Sequence, residues 1–110
     1  IILQRDLSLE GNLDDIFSRM IKNDFLMIEQ ILKGKYHQRK QTGKKSYFKR
    51  RTPQQSELKS LNHSKEYLYD FIRMLSDPYP NAFIKVGKKT ITFKSAKFID
   101  KKLMIEGEIN

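Results

Sequence analysis

Phe71-Ile-Arg-Met-Leu-Ser-Asp-Pro-Tyr-Pro-Asn-Ala-Phe83 is the stretch in which one backbone period gives way to another. Upstream of the prolines, Tyr67, Leu68, Phe71, Ile72 and Leu75 recur at i, i+1, i+4, i+5 and i+8, a broad apolar stripe on one helix face. Pro78 biases Asp77 out of the helical region and Pro80 does the same to Tyr79, so the helix ends at this point. From Ala82 the period is two, with Ala82, Ile84 and Val86 on one face and Phe83 and Lys85 on the other. A helix is thus handed to a sheet at an angle set by a proline turn. Arg73 projects almost opposite the helix stripe, where it is either an inert surface arginine or a fork for a second domain or a substrate phosphate.

Toward the C-terminus the pattern predicts strands over Ala82–Val86, Thr90–Phe98 and Leu103–Ile109, separated by Gly87-Lys88-Lys89 and Asp100-Lys101-Lys102. Ile91/Phe93 and Leu103/Ile105 alternate with polar residues, as in an antiparallel meander wet on one face. Three such strands must pack on the helix, on other parts of a larger protein or on a second copy. The edge Leu103–Ile109 could pair across a two-fold axis into a homodimer, although Lys101, Lys102, Glu106 and Glu108 oppose casual pairing.

Toward the N-terminus, Asn62 and Ser64 are both competent caps for this helix. Before them, Lys35 to Ser60 shows no regular period, which marks a linker or an arm lying on another surface. From Lys33 to Arg51 there are nine Lys/Arg and no acid. Within that run Tyr47-Phe48-Lys49-Arg50-Arg51 offers adjacent aromatics, expected to anchor the arm, beside cations that could neutralise phosphates. A solvated linker is the competing reading. Earlier still, Asn12 caps a helix carrying Leu13, Ile16, Phe17, Met20, Ile21, Met27, Ile28, Ile31 and Leu32, which Gly34 stops. Asp24 falls on the centre of that stripe, where it is either met by a partner cation or a water at the edge of the packing or is a functional carboxylate. Ile1–Leu3 reads as the end of a buried strand, and this apolar start without methionine leads us to expect a piece of a longer protein.

Length and composition restrict the functional classes. At 110 residues there is room for at most one ordinary domain. A net charge of +9 points to an anionic partner. No cysteine is present, and His37 and His63 stand alone, so neither a metal site nor a nucleophile-base set can be assembled. No apolar run reaches the roughly 20 residues of a membrane span, and a cytoplasmic location is expected.

The order of these pieces resembles the C-terminal part of the 10-formyltetrahydrofolate-dependent formyltransferase family, which includes methionyl-tRNA formyltransferases and nucleotide-linked amino-sugar N-formyltransferases. The resemblance is carried by Ile-Ile-Leu-Gln at residues 1–4, the helix closing on Leu-Lys-Gly, Tyr47-Phe-Lys-Arg-Arg-Thr-Pro53, and Ile72-Arg73 followed by Asp77-Pro-Tyr-Pro-Asn-Ala-Phe83. It implies an α+β chain in three parts. Residues 1–34 would be the last strand edge and helix of a Rossmann-like catalytic domain. Residues 35–60 would be a basic linker arm, and 61–110 a small helix plus three-stranded antiparallel meander, a truncated OB-like domain.

The family's catalytic asparagine, histidine and aspartate have no counterpart here, and neither His37 nor His63 matches the motif. The chain alone should therefore be inactive, with 10-formyltetrahydrofolate bound mainly by an upstream catalytic domain and no metal. Lys49, Arg50, Arg51 and Arg73 are the candidate substrate-binding residues. As acceptor, a nucleotide-linked amino sugar is preferred over tRNA. The Arg-Arg-Thr-Pro run looks like the amino-sugar branch, and three strands fall short of the five of an OB barrel.

Overall fold

Asn12 and Asp15 decide where the first helix begins. The Asp15 carboxylate accepts from the Asn12 backbone N–H at 2.9 Å, and the helix α1 spans Leu13–Leu32. Its end is a Schellman motif: Gly34, at φ +66°, donates to the Ile31 carbonyl at 2.9 Å, and Lys35 donates to Gln30 at the same distance. A side chain with a Cβ is disfavoured at that φ, which is why glycine stands there.

In this computed structural model, which describes residues 1–110, the chain divides into two compact units, Ile1–Lys49 and Arg50–Asn110. The first is α1 with irregular segments laid along it. Arg19 holds the loop before the helix by donating from Nε to the Ser8 carbonyl at 3.1 Å and from Nη2 to that of Glu10. Asn23 donates to the Asp6 carbonyl at 3.0 Å. Leu13 and Ile16 are buried, whereas Ile21, Phe25, Ile28 and Leu32, at helical spacing, are exposed. Asp24 is exposed rather than centred in packing, so it needs no buried counter-ion. Ile1–Leu3 is not a strand: Ile1 exchanges backbone hydrogen bonds with Arg39 at 2.8 and 2.9 Å, and no ladder follows. A strand requires a neighbour along its length.

The second unit holds a 3₁₀ turn at Pro53–Ser56, the helix α2 at Lys65–Arg73, and strands β1 (Phe83–Val86), β2 (Lys89–Ile99) and β3 (Lys102–Ile109). The strands form an antiparallel sheet in the order β1-β2-β3. Ser64 caps α2, its hydroxyl accepting from Tyr67 N–H at 3.1 Å. Leu68, Ile72 and Leu75 pack with Leu58, Ala82, Ile84, Phe93 and Ala96 into one core, in which Ile72 has no exposed surface. Burying a side chain of that size contributes about 1.5–3 kcal/mol.

Two local devices shape the sheet. Both hairpins have two-residue turns, Gly87-Lys88 with Gly87 at φ +60° and Asp100-Lys101 at +46° and +61°. The second follows the φ pattern of the type I′ turn, whose twist suits antiparallel strands. A bulge lies between Phe93 and Ser95, where β3 advances only from Gly107 to Glu106. Lys94 is the extra residue. Consequently Phe93 and Ala96 are both buried although they are three apart, because the bulge resets the alternation.

The irregular stretch before α2 also ends inside this unit. Glu57 bridges Phe83 in parallel fashion, Leu58 N–H donates to the Phe83 carbonyl at 2.7 Å, and Leu58 is buried. Ser56, buried too, donates to the Pro80 carbonyl at 3.0 Å. No helix is long and apolar enough to cross a membrane.

Gly107 faces the bulge, and a Cβ there would meet the Thr92 carbonyl oxygen at 2.7 Å. Gly107→Ala should therefore destabilise the unit by about 1–3 kcal/mol, the cost of overpacking against backbone. Urea denaturation of the wild type and Gly107→Ala checks this, and equal midpoints would refute it.

Candidate functional site

Four basic residues were expected to bind substrate, and the structure treats them differently. Lys49, Arg50 and Arg51 are exposed, and the division between the units falls between Lys49 and Arg50. Tyr47 and Phe48 are 86% and 92% exposed, so these rings do not anchor the arm within this chain. Arg51 leads into the 3₁₀ turn. Its Nη2 donates to the Gln55 carbonyl at 2.7 Å, while Thr52 N–H donates to Gln55 Oε1 at 2.8 Å.

Arg73 corrects the expectation of an arginine pointing away from the packed part of its helix. Its side chain is only 12% exposed, its Nε donates to Asp70 Oδ1 at 2.7 Å, and its guanidinium lies 5.1 Å from the Tyr69 ring centroid. Tyr69 in turn packs on Phe98, with centroids 5.2 Å apart. The sheet therefore covers α2 further round than the Tyr67–Leu75 stripe indicates, and the arginine's stem is buried along that flank.

On the other side of α2, Arg51, Tyr67, Asp70, Phe71, Met74 and Leu75 line an open, mainly apolar groove of about 430 Å³. Arg51 and Arg73 are thus related through Asp70, which lines the groove and pairs with Arg73. Along the groove's aromatic edge, the His63 ring packs on Tyr67 at 4.5 Å with a tilt of 33°, and Tyr67 stacks on Phe71 at 5.9 Å. Sequence reasoning assigned Tyr67 and Phe71 to the core stripe and missed this ladder, although the spacing 63, 67, 71 was there to be read. Leu68, Ile72 and Leu75 hold the helix down on the sheet, which leaves Tyr67 nearly half exposed.

The net charge is cationic, and Glu57 is a carboxylate held between two lysines. Glu57, beside the bridge to Phe83, receives the Lys59 ammonium at 2.6 Å, with Lys85 at 3.9 Å. The hydrogen bond from Lys59, against some opposing desolvation, holds its carboxyl below the ordinary value. No group of three or more His, Cys, Asp or Glu side chains is placed to hold a metal.

A family model described as the C-terminal domain of methionyl-tRNA formyltransferase matches residues 53–110. The solved structure of methionyl-tRNA formyltransferase from Clostridium thermocellum is similar to this chain with a TM-score of 0.85 and 40% identity, over 98% of this chain and 48% of that one. The chain therefore spans about half the length of that relative.

Two predictions arise from these contacts. A carboxylate with a lowered folded pKa contributes stability that is complete above its unfolded value and is lost as pH falls through the folded one. Glu57→Gln should therefore narrow the loss of stability below the ordinary carboxylate value of 4.5, most visibly at low salt, in urea titrations at stepped pH. Arg73→Ala should lower stability by about 1–3 kcal/mol through lost packing, and Arg73→Lys should recover only part of it, because an ammonium lacks the planar fork. Calorimetric melting of the variants distinguishes this from an inert surface arginine, whose removal would leave the melting temperature in place.

Proposed function

The chain belongs to the methionyl-tRNA formyltransferase C-terminal-domain family, and from that premise we propose that it is the C-terminal region of an enzyme that formylates methionyl-tRNA, to which it contributes RNA-binding surface. The observation that carries this reading is 40% identity across nearly the whole chain to a methionyl-tRNA formyltransferase. A net charge of +9, concentrated in the run from Lys33 to Arg51, supports it physically. Lys49, Arg50 and Arg51 are assigned contacts with tRNA phosphates. Arg73, held by Asp70 and Tyr69, is assigned the positioning of α2 and touches the acceptor at most through Asp70's flank of the groove.

The nucleotide-linked amino sugar preferred on sequence grounds becomes the second reading. Its strand-count argument loses force because the methionyl-tRNA family model spans the same three strands. The Arg50-Arg51-Thr52-Pro53 run is what remains in its favour.

In this proposal residues 1–34 belong to the edge of a catalytic domain, which would cover the exposed Ile21, Phe25, Ile28 and Leu32. Residues 35–60 form the connecting arm, with its last part bound into the C-terminal unit through Ser56 and Leu58. The formyl donor assigned to the parent enzyme is 10-formyltetrahydrofolate. The residues present here do not build a site for it: His63 is stacked on Tyr67, His37 is exposed in the arm, and no asparagine–histidine–aspartate set converges.

The full-length protein should transfer formyl from 10-formyltetrahydrofolate to methionyl-tRNA and not to a nucleotide-linked 4-amino sugar, with residues 1–110 alone inactive. Replacing Arg50 and Arg51 by Ala should raise the KM for methionyl-tRNA about tenfold. It should also flatten the salt dependence of tRNA binding by about 0.7–0.9 per arginine in the log–log slope. Transfer to the sugar alone would establish the second reading instead.

A further inference from the structure

In the order β1-β2-β3, the strand β3 pairs on one side only, and its other edge presents a row of backbone donors and acceptors. We infer that two copies of this chain join β3 to β3 across a two-fold axis at Ile105, which makes one continuous antiparallel sheet of both meanders. The inference does not depend on which acceptor the parent enzyme uses.

Backbone geometry restricts how two such edges can meet. Thr90 and Asn110 exchange both of their backbone hydrogen bonds, at 2.9 Å each. Alternation along β3 then turns the peptide groups of Lys102, Met104, Glu106 and Glu108 toward β2, and those of Leu103, Ile105, Gly107 and Ile109 toward the free edge. In an antiparallel pairing of two copies, odd-numbered residues must therefore face odd-numbered ones. An axis at Glu106 satisfies that rule but sets Glu106 against its own copy, like charge on like charge. An axis at Met104 pairs residues 102–106 alone and carries Glu108 up to Asp100 in the turn of the second copy.

An axis at Ile105 pairs residues 102–108 and has neither fault. Lys102 then faces Glu108 on both sides of the axis, so the charges that oppose the other registers attract in this one. Leu103 lies opposite Gly107, which has no side chain to crowd it, and Ile105 meets Ile105. That last contact answers an exposed apolar surface. Ile105 pairs with Ala96 of β2 and so lies on the helix side of the sheet, where Ala96 is buried in the core. Ile105 is nevertheless 37% exposed, because the cover that α2 provides stops short of this edge. Its copy across the axis would stand about 5 Å away, close enough to remove both from water. A foreign strand would have to reproduce this order of charges in reverse, whereas a second copy supplies it by symmetry.

The test is analytical ultracentrifugation of the full-length protein over a range of concentrations. The wild type should sediment as a dimer, and Ile105→Lys, which sets two cations together at the axis, should leave it monomeric. Lys102→Glu alone and Glu108→Lys alone should each raise the dissociation constant about tenfold or more, since every substitution alters two pairs in a two-fold assembly. The double variant Lys102→Glu/Glu108→Lys should return to the wild-type constant. That rescue separates lost pairing from lost folding, and it is specific to this register. A monomeric wild type overturns the inference. So does a dimer indifferent to the single charge reversals, which would associate through another face, and so does a double variant no tighter than the single ones.

Discussion

Ala82 is bound through both of its backbone groups, and the second unit depends on it. Its N–H donates to the Leu75 carbonyl at 3.2 Å, where α2 has just ended, and its carbonyl accepts from Phe93 N–H at 2.8 Å, in the middle of β2. With no exposed surface, it has no water to substitute for either bond. The Asn81 side chain reinforces the same carbonyl of Leu75 at 3.3 Å and receives the Lys94 ammonium at 2.8 Å. The proline turn is thereby tied to the helix end on one side and to the bulged strand on the other. Anything larger than a methyl group at Ala82 would force the helix away from the sheet.

That arrangement explains why the turn announced the fold so clearly in the sequence while other features stayed hidden. Helix ends were legible because their signals are chemical and local: Asn12 and Ser64 as caps, Gly34 as the left-handed stop. The strands and their antiparallel order were legible for the same reason, through alternation and turn residues. The bulge was passed over, because its one mark is the pair of consecutive polar residues Lys94-Ser95 between Phe93 and Ala96, which a reading of Thr90–Phe98 as one regular strand absorbs. Leu58 gave no warning either, because a single buried leucine in a polar stretch has no period.

Arg73 shows a different limit. An angular projection locates a residue relative to its own helix, but what covers that direction is decided by the partner surface. Here β2 carries Phe98 around to Tyr69, and an arginine well outside the stripe becomes one of the less exposed charged side chains. The same geometry displaced Tyr67 outward, so that the candidate surface lay on residues first assigned to the core. The basic arm, by contrast, was legible as a charge pattern but not as a structure, since charge on irregular backbone specifies no partner by itself.

Each strand of the sheet pairs with the next in sequence, and α2 packs on strands that follow it closely. The stretch before α2 reaches back across the helix through the bonds from Leu58 to Phe83 and from Ser56 to Pro80. Such local wiring needs little loop closure before contacts accumulate, so the helix and hairpins can assemble rapidly while the arm's end is still searching. Leu58 places the end of the cation-bearing stretch inside the same core that joins α2 to the sheet, so the point from which that stretch leaves the unit is set by the packing itself.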